Sequence, residues 1–105
     1  AMNYGGRKEI IYAIKSLIFD AKENGINLNE ITEQMISDRL YTSGQPDPDL
    51  IIRPSGEYRI SNFLLWQSAY SEYVFMDILW PDFKPEDLQK ALNEYASRNR
   101  RFGGV

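Results

Sequence analysis

DLIIRPSGEYRISNFLLWQSAYSE, residues Asp49 to Glu72, sets the reading of this chain. It opens on a short apolar run, Leu50-Ile51-Ile52, of the kind that forms a strand in a parallel sheet covered on both faces. Arg53, Ser55, Glu57, Arg59 and Ser61 follow in quick succession, and a second apolar run, Phe63 to Trp66, comes next. The stretch closes on one acid, Glu72. A strand ending in a loop of Arg, Ser and Gly suits a phosphate site at the edge of an α/β sheet. Guanidinium groups meet phosphate oxygens as a fixed fork, so two arginines can hold one diphosphate from two sides. Ser55 and Ser61 can add neutral hydrogen bonds, and Gly56 allows close approach of an anion to the backbone. Glu57 lies between the arginines and can pin one of them. Glu72 is a hard oxygen ligand of the type Mg²⁺ accepts beside substrate phosphates. Residue types alone leave open a plain Arg/Glu salt-bridge cluster.

Composition narrows the classes. The chain has 105 residues, enough for at most one modest domain. Hydrophobic content is 43%, too high for a disordered segment. The net charge of −3 argues against non-specific nucleic-acid binding. With no histidine and no cysteine, imidazole and thiol chemistry is excluded, as are zinc-thiolate sites and disulfides. No apolar run approaches the ~20 residues that span a bilayer. A cytoplasmic protein is expected, able to meet a membrane surface through its substrate or product.

Outward from the central stretch, Ile10, Ile14, Leu17, Ile18 and Ala21 recur at helical spacing, which predicts a helix over Arg7–Asn24 with Gly25 at its C-cap. A second helix is predicted over Asn27–Leu40 with Asn29 as its N-cap. Tyr41–Pro48 reads as a loop. Leu50–Arg53 and Glu72–Met76 read as strands, and Ser61 to about Ala69 as a helix capped by Ser61. Asp77–Phe83 is a turn whose Trp80 and Phe83 could form an interface patch. Pro85 opens a last helix with Leu88, Ala91, Leu92 and Tyr95 inward.

The run RPSGEYRISNFLLWQSAYSE, the later LWPDF and RRFGG, and NYGGR at Asn3–Arg7 resemble, in order and spacing, the C-terminal half of the cis-prenyltransferases, the bacterial undecaprenyl diphosphate synthases in particular. That resemblance implies an α/β fold, part of a parallel sheet with flanking helices, the whole chain being the C-terminal portion of a single domain. It implies repeated condensation of isopentenyl diphosphate onto an allylic diphosphate, usually farnesyl diphosphate. The expected product is undecaprenyl diphosphate, the membrane-delivered lipid carrier for cell-wall synthesis. It implies a Mg²⁺ cofactor and a homodimer. Carried onto this sequence, Arg53, Arg59, Ile60 and Ser61 would bind the diphosphate, Glu57 would orient the arginines, and Glu72 would help hold the metal. Arg101 and Gly103, in an R-x-G tail, would reach the partner subunit's site. Two departures stand out. Pro54 occupies a position where the family often has threonine, and Tyr58 one where some members have histidine. The family's N-terminal segment, whose Asp-Gly-Asn-Gly-Arg motif bears the catalytic aspartate, has no counterpart in these residues. No catalytic residue is therefore assigned, and the isolated chain is expected to be inactive. The alternative is a non-catalytic diphosphate-binding or dimerisation subunit.

Overall fold

The structure, a computed structural model, describes residues 4–102, with side chains described through Arg98. It holds the expected α/β class with parallel strands, arranged as two compact units. One comprises the chain up to Asp47 together with Ile60–Ala69; the other comprises Pro48–Arg59 and the chain from Tyr70 onward.

In the first unit, α1 spans Gly6–Asn24. It stops where expected. Gly25 takes a left-handed conformation, φ 71°, and its N–H donates to the Ala21 carbonyl at 3.1 Å. Its buried line shares only Leu17 with the predicted one. Gly6, Glu9, Ala13 and Leu17 are buried, whereas Ile14 and Ile18 stay 41% and 52% exposed. The Ile60–Ala69 segment comes close to the start of α1 at Gly6, and Glu9 on the same side takes hydrogen bonds from Tyr41 and Gln67. The isoleucines instead wall an open groove of about 550 Å³ with Ile26, Leu28 and Ile31.

That close approach explains the glycine pair. A Cβ on Gly6 would stand 2.8 Å from Leu65 Cγ and 3.0 Å from the Asn62 carbonyl; one on Gly5 would stand 2.9 Å from Asn62 Nδ2. Gly6→Ala is expected to destabilise the chain by about 1–3 kcal/mol, the usual cost of overpacking. A urea midpoint unchanged from wild type would contradict this.

The single helix predicted over Asn27–Leu40 is two short elements. Asn27 Oδ1 accepts from the Asn29 N–H at 2.9 Å, which turns the chain into a 3-10 segment, Leu28–Glu30. Thr32 rather than Asn29 is the cap that opens α2, Glu33–Ser37; its hydroxyl accepts from the Met35 N–H. Arg39 then pairs with Asp20 of α1 at 2.7 Å. The helix predicted over Ser61–Ala69 does not form. Ser61, Asn62 and Leu64 have φ of 51°, 66° and 47°, incompatible with a right-handed helix, and the segment is a series of turns.

In the second unit, β1 (Leu50–Arg53) pairs in parallel with β2 (Glu72–Phe75), Leu50 opposite Glu72 and Arg53 opposite Phe75. All four residues of β1 are half-buried, not covered on both faces as predicted. Val74 is buried in β2. A 3-10 turn, Trp80–Asp82, follows, with Trp80 stacked on Phe83 and 67% exposed. α3 runs over Pro85–Phe102. Its start is capped reciprocally: Asp87 Oδ2 accepts from the Lys84 N–H and the Lys84 carbonyl accepts from the Asp87 N–H, both at 2.9 Å. Ala91 is fully buried, but Leu88 and Leu92 of the predicted stripe remain over two-fifths exposed.

Candidate active site

β1 delivers Arg53 to the end of the sheet, and the chain turns back at once. Ser55 and Gly56 are both left-handed, φ 81° and 70°. Their N–H groups donate to the carbonyls of Ile78, at 2.6 Å, and Met76, at 2.8 Å. The Gly56 amide is thus occupied, so this glycine serves the turn. A Cβ there would meet Asp77 Oδ1 at 3.2 Å. The turn returns Glu57 and Arg59 beside Arg53. Glu57 bridges both arginines: Arg53 Nη2 donates to Oε2, and Arg59 Nη2 to Oε1 at 3.1 Å. Arg53 Nη1 also donates to the Arg59 carbonyl at 2.5 Å. Two guanidinium groups against one carboxylate leave a net positive loop. Arg53 is fixed by two contacts, its side chain 25% exposed. Arg59, 70% exposed, keeps most of its donors open to solvent.

Tyr58, between Glu57 and Arg59 in the chain, donates to Asp77 Oδ1 at 2.6 Å. That hydrogen bond, with partial desolvation and the carboxylate's charge, raises the hydroxyl pKa above its ordinary value. Tyr58 therefore keeps its proton near neutrality and acts as a brace for the loop.

Glu72 opens β2 with Arg98 Nη1 at 3.5 Å from Oε2. Arg98 also donates to the Tyr73 carbonyl and to Glu94 Oε1, the latter at 2.5 Å. The proposed metal ligand is thus neighbour to a cation from α3, which the sequence did not reveal. Among the described residues no group of three or more acidic side chains gathers as a metal cage. Glu72 itself is partly exposed and fits as a single oxygen ligand beside phosphate oxygens and water.

Ile60 and Ser61 belong to the first unit. Ser61 is exposed and left-handed, so it does not cap a helix as predicted. Asn62 beside it serves the start of α1 instead. Its carbonyl accepts from the Gly6 N–H at 2.7 Å and its Oδ1 from the Arg7 N–H at 2.9 Å. Beneath it lies a polar cluster the sequence reading missed. Glu9 is 1% exposed. It accepts from the Tyr4 hydroxyl at 2.5 Å, the Tyr41 N–H at 2.9 Å and Gln67 Nε2 at 3.1 Å. Burial, then the bond to Glu9, pushes the Tyr4 hydroxyl up to about 12. The available signal was the acid two residues after the NYGGR glycine turn, at a helix start where an anion is welcome. Arg101 lies in the last turn of α3; its side chain, like Gly103, lies outside what is described.

The family model for undecaprenyl diphosphate synthases matches residues 1–103. The chain is 61% identical over its full length to an isoprenyl transferase of Clostridium perfringens and 54% identical to that of Bacillus subtilis. It spans 42% and 40% of the length of those relatives. It is also similar to the crystal structure of lavandulyl diphosphate synthase from Lavandula x intermedia in complex with dimethylallyl diphosphate. The TM-score is 0.83 at 38% identity, over 88% of this chain and 40% of that one. With Arg53, Glu57 and Arg59 gathered at the end of a parallel strand and nearly the whole sequence matched, the chain belongs to the undecaprenyl diphosphate synthase family of prenyltransferases.

Proposed function

We propose that this chain is the C-terminal, diphosphate-holding portion of a cis-prenyltransferase that makes undecaprenyl diphosphate for cell-wall synthesis. The supporting observation is the Glu57-bridged arginine pair, fixed at Arg53 and open at Arg59. In this reading Arg53, Arg59, Ile60 and Ser61 take the diphosphate of isopentenyl diphosphate, and Glu57 keeps the two guanidinium planes apart and oriented until the ligand arrives. Rigid arginine donors lower the entropy cost of holding the homoallylic double bond toward the allylic carbon of farnesyl diphosphate. They also oppose the diphosphate charge throughout the reaction. The allylic diphosphate leaves, the double bond attacks, and a proton is lost. Glu72 is the residue here that would hold Mg²⁺, which when bound supplies charge neutralisation to the diphosphates; Arg98 would have to share or yield that carboxylate.

The 105-residue chain alone is expected to elongate no allylic substrate. The exposed Leu79 and Trp80 support a homodimer in the complete enzyme, in the cytoplasm, with the R-x-G tail serving the partner. The test is a chimera. This chain replaces the matching 42% of the Clostridium perfringens relative, and radiolabelled isopentenyl diphosphate is followed with farnesyl diphosphate and Mg²⁺. Long-chain polyprenyl product is expected. A folded chimera that makes none would refute the proposal, and shorter products would refute the undecaprenyl assignment alone.

A further inference from the structure

The segment bearing Ile60 and Ser61 is held in an unfavourable backbone. Ser61, Asn62 and Leu64 are left-handed, and each non-glycine residue there costs on the order of 1 kcal/mol or more. Such a run persists only where its surroundings over-determine it. Asn62 is fixed by the start of α1, through the Gly6 and Arg7 N–H groups. Leu64 is fixed differently: its N–H donates to the Tyr4 hydroxyl at 3.2 Å. That hydroxyl in turn donates to Glu9 Oε1. Glu9 cannot drift, because the Tyr41 N–H and Gln67 Nε2 also bind it. Gln67 is 2% exposed and donates as well to Thr42 Oγ1 at 3.0 Å. The Tyr4 ring is set edge-on to Phe63, within the same strained segment, at 5.7 Å.

We propose that Tyr4 is a positioning residue for diphosphate binding: its hydroxyl, locked by buried Glu9, latches the Leu64 amide and so holds the left-handed backbone that presents Ile60 and Ser61. The binding consequence rests on the proposed function; the conformational latch does not.

Tyr4→Phe removes the relay and keeps the ring. Two readouts are taken on the 105-residue chain: residue-resolved amide exchange, and calorimetric titration with isopentenyl diphosphate. Exchange at Ser61–Leu64 is expected to rise about tenfold, the effect of losing one hydrogen bond, with α3 unchanged. Affinity is expected to fall by about the same factor. Tyr12→Phe, outside the relay, should change neither. Unchanged exchange at Ser61–Leu64 overturns the latch. Acceleration spread evenly over α1 and α3 reduces Tyr4 to a stability role and overturns it too. Local acceleration with unchanged affinity overturns the positioning role. A wild-type chain that does not bind isopentenyl diphosphate counts against the proposed function, while the exchange comparison still decides the latch. Should Tyr4→Phe fail to fold, Glu9→Asp, which draws the carboxylate back by one methylene, yields the same two readouts.

Discussion

Glu9→Leu is expected to lower the chain's stability by about 3–5 kcal/mol, as when one partner of a buried polar network is removed. The carboxylate is 1% exposed and gathers donors from Tyr4, Tyr41 and Gln67. Leucine has a similar volume, so cavity formation is a small part of the loss. What remains is three donor groups without an acceptor in a dry interior, each costing roughly 1–3 kcal/mol. Gln67 can offset only part of this by turning over, which would bring its Oε1, without a partner among the described residues, toward the freed donors as a single acceptor. Glu9→Gln keeps one acceptor oxygen and should cost about half as much. Urea denaturation followed by tryptophan fluorescence reads both variants, since Trp66 lies in the same unit and donates to Ser37 Oγ. A leucine variant with the wild-type midpoint would show that the cluster contributes nothing to stability.

The second large effect concerns binding. Arg53→Ala combined with Arg59→Ala is expected to weaken isopentenyl diphosphate binding by at least about 100-fold, because charge-assisted hydrogen bonds are worth about 1.5–3 kcal/mol each. The single variants should differ in kind. Arg59 is largely exposed and holds only Glu57, so its loss should show in affinity alone. Arg53 also donates to the Arg59 carbonyl, so its loss should loosen the loop as well. Lysine at either position should rescue poorly, as a point charge cannot reproduce the fork. Calorimetry on the folded double variant decides the matter. Wild-type affinity there would leave the arginine pair as a salt-bridge cluster and nothing more.

Much of the architecture was readable from local chemistry. Gly25 as C-cap, Pro85 at the start of α3 and the two β-branched or aromatic strands follow from propensities that tertiary contacts did not override. Failures came where tertiary contacts did override them. Phe63-Leu64-Leu65-Trp66 has helical composition, yet anchoring of Asn62 and Leu64 by the first unit forces left-handed turns. The isoleucine line of α1 has the greater hydrophobicity, yet the buried side is the one where Gly6 lets Asn62 and Leu65 approach and Glu9 binds Tyr41 and Gln67. At the site, the closeness of Arg53, Glu57 and Arg59 was legible because all three sit within one turn of chain. The Glu72–Arg98 pair was not, since nothing local couples residues so far apart.

The division of the chain carries a topological consequence. Each unit is assembled from two separate lengths of sequence, and the lengths alternate: first, second, first, second. No single peptide bond can therefore be cut to release either unit whole. One nick between Asp47 and Pro48 parts the first unit's helices from the Ile60–Ala69 segment that completes them. Neither unit can finish folding as it leaves a ribosome before the opening length of the other has been made. The second unit must also close its parallel strand pair across the whole intervening segment, a non-local step of the kind that slows folding. A protease or a designer seeking an independent half of this chain has to break it in three places, after Asp47, Arg59 and Ala69, and rejoin two of the ends.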